Sequence, residues 1–201
     1  MRIVGGRLRG RSLHAPSTRA VRPTSERLRE SIFDILIHRF PGCLEGARVV
    51  DLFAGTGALA FEALSRGAAF ALLVDNGAQA RALIRANVEA LGLGGVTRVW
   101  RADAARLGKA PSSAPFTLAF LDPPYGEGLL APALAALANG GWLAPGALIV
   151  VEEAASAEIA APPSFERIDA RVYGDTQIAL FRFGEAASPP TLHEAAGQGR
   201  V

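Results

Sequence analysis

The sequence predicts an α/β domain: a mostly parallel seven-stranded sheet closed at one edge by an antiparallel hairpin. Short apolar runs alternate with stretches of helical periodicity between Arg48 and Val151, the pattern of parallel strands joined by right-handed crossovers. Two further strand-like runs, Phe165–Tyr173 and Gln177–Phe183, flank Gly174-Asp175, a hairpin signal. Acids accompany successive strands: Asp51 lies inside the first, and Asp75, Asp103 and Asp122 follow the next three. Ligands of such sheets bind beyond the carboxyl ends of the strands, so these four acids share one candidate rim.

The elements follow in order. Residues 1–45 read as a basic N-terminal arm and a helix packed on the core, 46–184 as the α/β domain, and 185–201 as a polar tail too poor in apolar residues to order. In the arm, Ile3, Val4, Leu8 and Leu13 alternate with glycine and arginine, suggesting a short extended segment or hairpin. Arg22-Pro23-Thr24-Ser25 is a turn before a helix over about 26–40, whose apolar face is Leu28, Ile32, Ile35, Leu36 and Phe40. Arg27 and Arg29 are placed off that face. Strands are expected at 48–53, 69–74, 97–100, 116–121 and 147–151, and helices at 58–66, at 129–138 and in a stretch running to Gly92 with Leu83, Ile84, Val88 and Leu91 on one face.

The length of 201 residues suits one domain able to bury a sizeable core. No apolar run approaches the roughly 20 residues that span a bilayer, and the N-terminus lacks a signal peptide's apolar centre. Cys43 is the sole cysteine, and the scattered histidines offer no zinc spacing, so a reduced cytoplasm is expected and no metal. Net charge is only +2, but residues 1–40 hold nine arginines against Glu26, Glu30 and Asp34. A GC-rich genome accounts for arginine over lysine, but not for this clustering. Arg2, Arg7, Arg9, Arg11, Arg19, Arg27 and Arg29 therefore read as a phosphate-binding surface for nucleic acid. A solvated terminus is the plain alternative.

Two motifs carry chemistry. Ala54-Gly55-Thr56-Gly57 turns from the first strand into a helix, where glycines allow tight turning and close approach to a ligand. Gly55-x-Gly57-x-x-Ala60 also fits a loose dinucleotide fingerprint with Asp75 about 20 residues on. Asp51 argues against that ligand, because a carboxylate facing the site repels pyrophosphate and attracts a cation. Asp122-Pro123-Pro124-Tyr125 ends the fourth strand in a stiff cluster of acceptors beside a ring, suited to a planar group bearing an amino group. Glu152 and Glu153 read as a solvated strand-end pair, His14 and His38 as surface residues, Asn87 as structural and Cys43 as inert.

Val49–Leu59 resembles motif I of class I S-adenosylmethionine-dependent methyltransferases, and Asp122–Tyr125 resembles the motif of those that methylate exocyclic amino groups. Arg2-Ile-Val-Gly-Gly, Arg22-Pro-Thr, residues 51–68, Leu-Asp-Pro-Pro-Tyr, Gly141-Trp-Leu and Val150-Val-Glu-Glu in this order resemble the RsmD-type 16S ribosomal RNA guanine-N2 methyltransferases over about residues 1–183. The resemblance implies a Rossmann-like class I methyltransferase fold and S-adenosylmethionine as cofactor. Its site would comprise Asp51, Phe53, Gly55, Thr56, Gly57, Asp75, Asn76, Asp103 and Ala104, with Arg22 and Thr24 closing over the cofactor carboxylate. Gly55 and Gly57 would face its methionine end, Asp51 its ammonium, Asp75 its ribose and Asp103 its adenine. The family more often has glutamate where Asp75 stands.

The catalytic set implied is Asp122, Pro123, Pro124 and Tyr125. Asp122 and the Pro123 carbonyl would accept the two amino hydrogens, localising the nitrogen lone pair, while Tyr125 stacks on the base. The implied partner is 16S rRNA, within a small ribosomal subunit or assembly intermediate, met by a monomer. The rivals are an adenine-N6 methyltransferase of DNA or RNA, a non-catalytic RNA-binding assembly factor, and an NAD-linked oxidoreductase.

Overall fold

The computed structural model describes residues 1–15, 25–112 and 115–184. Strands β1 (Arg48–Leu52), β2 (Phe70–Val74), β3 (Thr97–Trp100), β4 (Phe116–Leu121), β5 (Leu143–Ala154), β6 (Phe165–Tyr173) and β7 (Thr176–Phe183) form one sheet in the order β3-β2-β1-β4-β5-β7-β6. β1 to β5 are parallel, and β7 pairs antiparallel with both β5 and β6. The strand order reverses between β1 and β4, which opens a crevice at their carboxyl ends.

Helices α1 (Glu26–Arg39), α2 (Ala58–Ser65) and α3 (Ala78–Leu91) bury side chains in the core on one face of the sheet, and α4 (Leu130–Asn139) in the core on the other. The Ser25 side chain accepts a hydrogen bond from Leu28 N at 3.1 Å and fixes the start of α1. That helix buries Leu28, Ile32, Phe33, Ile35 and Leu36. Each large apolar side chain so buried contributes about 1.5–3 kcal/mol. No helix among the described residues is long and apolar enough to cross a membrane.

The structure revises three expectations of the sequence. β5 begins at Leu143 rather than Ala147, because a register shift between Phe116 and Leu118 absorbs Pro145 and Gly146. It also runs on through Glu152 and Glu153, which pair with Ile178 and Gln177 of β7. The N-terminal residues do not form a regular hairpin. A single bridge joins Arg2 to Ser12 around a 3-10 turn at Gly6–Leu8, and Ile3, Leu8 and Leu13 pack into the main core.

This N-terminal segment is bolted to α2. The Glu62 carboxylate accepts from Val4 N at 2.9 Å and Gly5 N at 2.7 Å, and Ser65 Oγ accepts from Leu8 N at 2.9 Å while donating to the Gly5 carbonyl. Gly6 sits at a φ of +73°, and a Cβ there would collide with the Ser65 carbonyl. Glycine is thus required by close backbone approach as well as by conformation. Arg29, expected on a basic surface, is instead fully buried. Its guanidinium donates to the Arg2 carbonyl and lies within electrostatic reach of Glu62. A side chain so enclosed has no access to phosphates in solution.

Candidate active site

A cavity of about 570 Å³ lies over the carboxyl ends of the strands. The glycine turn walls one part, and Asp122, Pro123, Pro124 and Tyr125 wall another. Its acids are Asp51, Asp75, Asp122 and Glu152, and among the described residues no lysine or arginine lines it. The sequence expectation of one acidic rim is therefore met, with a different membership.

Asp51 lies within β1 and is 2 % exposed. Among the described residues its carboxylate accepts one hydrogen bond, from Ala60 N in the first turn of α2 at 3.2 Å. Burial pushes its pKa well above the ordinary aspartate range, and the neighbouring Asp75 charge adds to the rise. A bound cation would reverse both effects.

The turn after β1 carries the only left-handed non-glycine residue among those described, Phe53, at a φ of +59°. Such a conformation is unusual for a bulky side chain and concentrates at functional sites. Neighbouring bonds hold it: Ala54 N donates to the Val74 carbonyl at 3.1 Å, and Gly55 N to Asp75 Oδ2 at 2.9 Å. The other Asp75 oxygen accepts from Gly77 N at 2.7 Å, so this residue braces the turn from the carboxyl end of β2. Asn87 completes the brace: its side-chain amide donates to the Thr56 carbonyl at 3.0 Å and exchanges bonds with the His14 backbone. The reading of Asn87 as structural agrees with this.

The two glycines differ. Gly55 lines the cavity at a φ of +58°, and a Cβ added there would meet only the Phe53 carbonyl, at 3.8 Å. Gly57 does not line it. A Cβ on Gly57 would strike the Phe61 ring and Leu73, so this residue serves the packing of α2 on β2. Asp103 also stays outside the cavity lining. It is exposed, and its Oδ1 accepts from Ala105 N at 3.0 Å, capping a 3-10 turn at Ala104–Arg106. Ala102 and Ala104 line the cavity in its place. Phe53, Thr56, Asn76 and Ala104 also line the cavity, while Arg22 and Thr24 fall outside the described residues, as does Arg19.

Tyr125 is held by its hydroxyl. It donates to Glu152 Oε1 at 3.1 Å and shares a hydrogen bond with Thr176 Oγ1 at 3.1 Å. Burial, with the Glu152 and Asp122 charges, pushes its pKa up to about 12, so the hydroxyl stays protonated. Glu152 and Glu153 are 7 % and 8 % exposed, which corrects their reading as a solvated pair. Glu152 is a cavity residue, not the solvated strand-end acid that the sequence suggested. Its signal was register: it lies one step beyond the Leu121–Val151 pair, as Asp122 does on the neighbouring strand.

Arg2, Arg7, Arg9, Arg11 and Arg27 are exposed. Arg2 pairs with Glu26 at 3.1 Å, and Arg11 donates to the Ala90 carbonyl.

This strand order, with a site beyond the switch between β1 and β4, is that of a class I methyltransferase. The fold comparison agrees. An RNA methyltransferase from Salinibacter ruber, solved with S-adenosyl-L-homocysteine, superposes with a TM-score of 0.59 at 14 % identity, over 86 % of this chain and 99 % of that one. A structure from Escherichia coli described only provisionally as a methyltransferase reaches a TM-score of 0.78 at 32 % identity, over 92 % and 98 % of the two chains. In sequence, the ribosomal RNA small subunit methyltransferase D of Escherichia coli K12 is 40 % identical over 153 residues, 76 % of this chain and 74 % of its own length. The model of the conserved hypothetical protein 95 family matches residues 1–182. The chain belongs to that family, the RsmD-type methyltransferases.

Proposed function

We propose that this protein transfers a methyl group from S-adenosylmethionine to the exocyclic N2 of a guanine in 16S rRNA, in the cytoplasm and acting as a monomer. The observation that carries the reading is the cavity itself. Four carboxylates and no cation among its described lining suit a positively charged cofactor, and its far wall is the Asp-Pro-Pro-Tyr turn.

The residues fit such a cofactor. Asp51 is a buried carboxylate with spare acceptor capacity, matched to an ammonium group, and Gly55 leaves room for close approach. Asp75 already holds two backbone N–H groups, so its contact with ribose would use the lone pairs left over. Adenine would lie towards Ala102 and Ala104. Asp103 would have to leave its turn to reach it, so adenine specificity would rest on backbone groups and shape. When bound, S-adenosylmethionine supplies an activated methyl on a sulfonium.

The chain supplies positioning and electrostatics. A guanine amino group is a poor nucleophile because its lone pair is delocalised into the ring. Asp122 and the Pro123 carbonyl would accept its two hydrogens and localise that pair. Tyr125 would stack on the base, its plane fixed through the hydroxyl by Glu152 and Thr176. The base must be unstacked to enter, from an RNA loop or by flipping. Arg2, Arg7, Arg9, Arg11 and Arg27 would hold flanking phosphates, and Arg29 would act only by anchoring the segment that presents them.

The test supplies methyl-labelled S-adenosylmethionine with small subunits, naked 16S rRNA or duplex DNA. Label recovered as N2-methylguanosine supports the reading; label in DNA alone, or as N6-methyladenosine, overturns it. Asp122→Ala should abolish transfer and leave cofactor binding largely intact.

A further inference from the structure

Glu152 sits beside Asp122 at the base-holding end of the cavity. Leu121 and Val151 are the last register partners of β4 and β5, and Asp122 and Glu152 each follow by one residue, so both emerge at the same end of two adjacent strands. Side chains alternate along a strand, and Leu121 and Val151 both face the α4 core. Asp122 and Glu152 therefore share the opposite face, the one on which Asp51 also lies, and both line the cavity with Tyr125. β5 continues into its pairing with β7 here, so Glu152 is carried by a central strand and not by a loop.

We infer that Glu152 selects guanine, by accepting the N1–H that adjoins the amino group held at Asp122. The inference rests on the activity proposed above and adds the means by which the base is chosen. Among the standard bases only guanine carries a ring N–H next to its exocyclic amino group. Adenine presents the N1 lone pair beside N6, and cytosine presents the N3 lone pair beside N4. A carboxylate at this position accepts from guanine and repels the other two. A site built to bond a substrate N–H rejects an analogue lacking it far more strongly than an apolar pocket rejects a misfit. Glu152 would thereby have two tasks: Oε1 takes the Tyr125 hydroxyl, and the carboxylate as a whole reads the base edge. The Asp-Pro-Pro-Tyr turn, which by itself suits any exocyclic amine, acquires its specificity from the neighbouring strand.

The experiment first maps the methylated position in small-subunit RNA with the wild-type protein. RNA is then ligated from a synthetic segment bearing either guanosine or 2-aminopurine riboside at that position. 2-Aminopurine keeps the 2-amino group but presents a lone pair at N1. The wild type should prefer guanosine by about 100-fold or more in kcat/KM. Glu152→Gln, nearly isosteric and able to donate to a lone pair, should lose activity on guanosine and narrow the preference to within about tenfold. Tyr125→Phe removes the hydroxyl tie and leaves the carboxylate, so it should slow both substrates while preserving the preference. If Glu152→Gln slows both equally, Glu152 serves only to place Tyr125 and the inference is overturned. An indifferent wild type overturns it as well. Absence of any methyl on guanosine in the first step would instead remove the proposed activity, and the inference with it.

Discussion

Two buried carboxylates meet at one short helix, Asp51 against the first turn of α2 and Glu62 within it, and they differ in what surrounds them. Asp51, at the cavity end of α2, accepts one backbone N–H, and burial drives its pKa up. Glu62, one turn further along, is also fully enclosed, but Val4 N, Gly5 N and the Arg66 guanidinium bond it and Arg29 lies within electrostatic reach. Burying a charge is costly unless it is paired and hydrogen-bonded. Glu62 meets that condition from within the chain and is a fastener. Asp51 does not meet it from within the chain, which is why we assign it to a cationic ligand. Burial alone would have ranked them together; compensation separates them.

Removing the fastener should have the largest effect. Glu62→Ala leaves the Val4 and Gly5 N–H groups and the Arg66 guanidinium without their acceptor and the buried Arg29 without its neighbouring negative charge, and should cost about 3–5 kcal/mol of stability. Urea unfolding measures it. A variant of unchanged stability but impaired activity would place Glu62 in the site and collapse the contrast.

Asp51→Asn should behave in the opposite way. Cofactor affinity should fall about 100-fold, on the scale of a lost charge-assisted bond. The unliganded protein should gain stability on the order of 1 kcal/mol at neutral pH, because the cost of burying a carboxyl group whose pKa is raised by folding has been removed. Calorimetry of binding together with thermal unfolding reads both. Loss of stability would show that Asp51 is compensated in ways its hydrogen bonds do not reveal.

The same contrast extends to two glycines of the N-terminal segment, of which only Gly6 meets α2. Gly6→Ala combines a left-handed φ with collision against Ser65 and should cost about 2 kcal/mol or more, against about 1 kcal/mol for Gly10→Ala, where φ is +83° but the space is open. Equal costs would mean that the arm is not tightly seated.

The smallest effect is graded with pH. The raised Asp51 pKa means that protonation favours the folded, unliganded state. That contribution is present below the ordinary aspartate range and is lost as pH rises through the raised value. Cofactor binding runs the other way, weakening by up to about tenfold per pH unit below that value, or about 1.4 kcal/mol. The slope should flatten in Asp51→Asn; an unchanged slope would assign the titration elsewhere.

The strands, the closing hairpin and the acid-bearing rim were legible in the sequence, because hydrophobic period and turn chemistry are local properties. β3, β4 and β6 fall where their apolar runs predict, and Asp51, Asp75 and Asp122 line the cavity as strand-end logic requires. Arg29 was legible too, in retrospect. It lies four residues before Phe33 and seven before Leu36, on the buried arc of α1, and its charge masked its position.

Other assignments depended on contacts between distant segments. Whether Gly57 faces ligand or core is decided by Phe61 and Leu73, and whether Glu62 is a partner or a catalyst is decided by residues 4 and 5. Glu152 enters the site only because β5 lies in register beside β4 and β7 closes over it. A chain's own pattern determines which residues face inward and where strands end. Only the assembled sheet determines what each inward polar group meets, and it is that partner, or the lack of one, that separates a structural acid from a functional one.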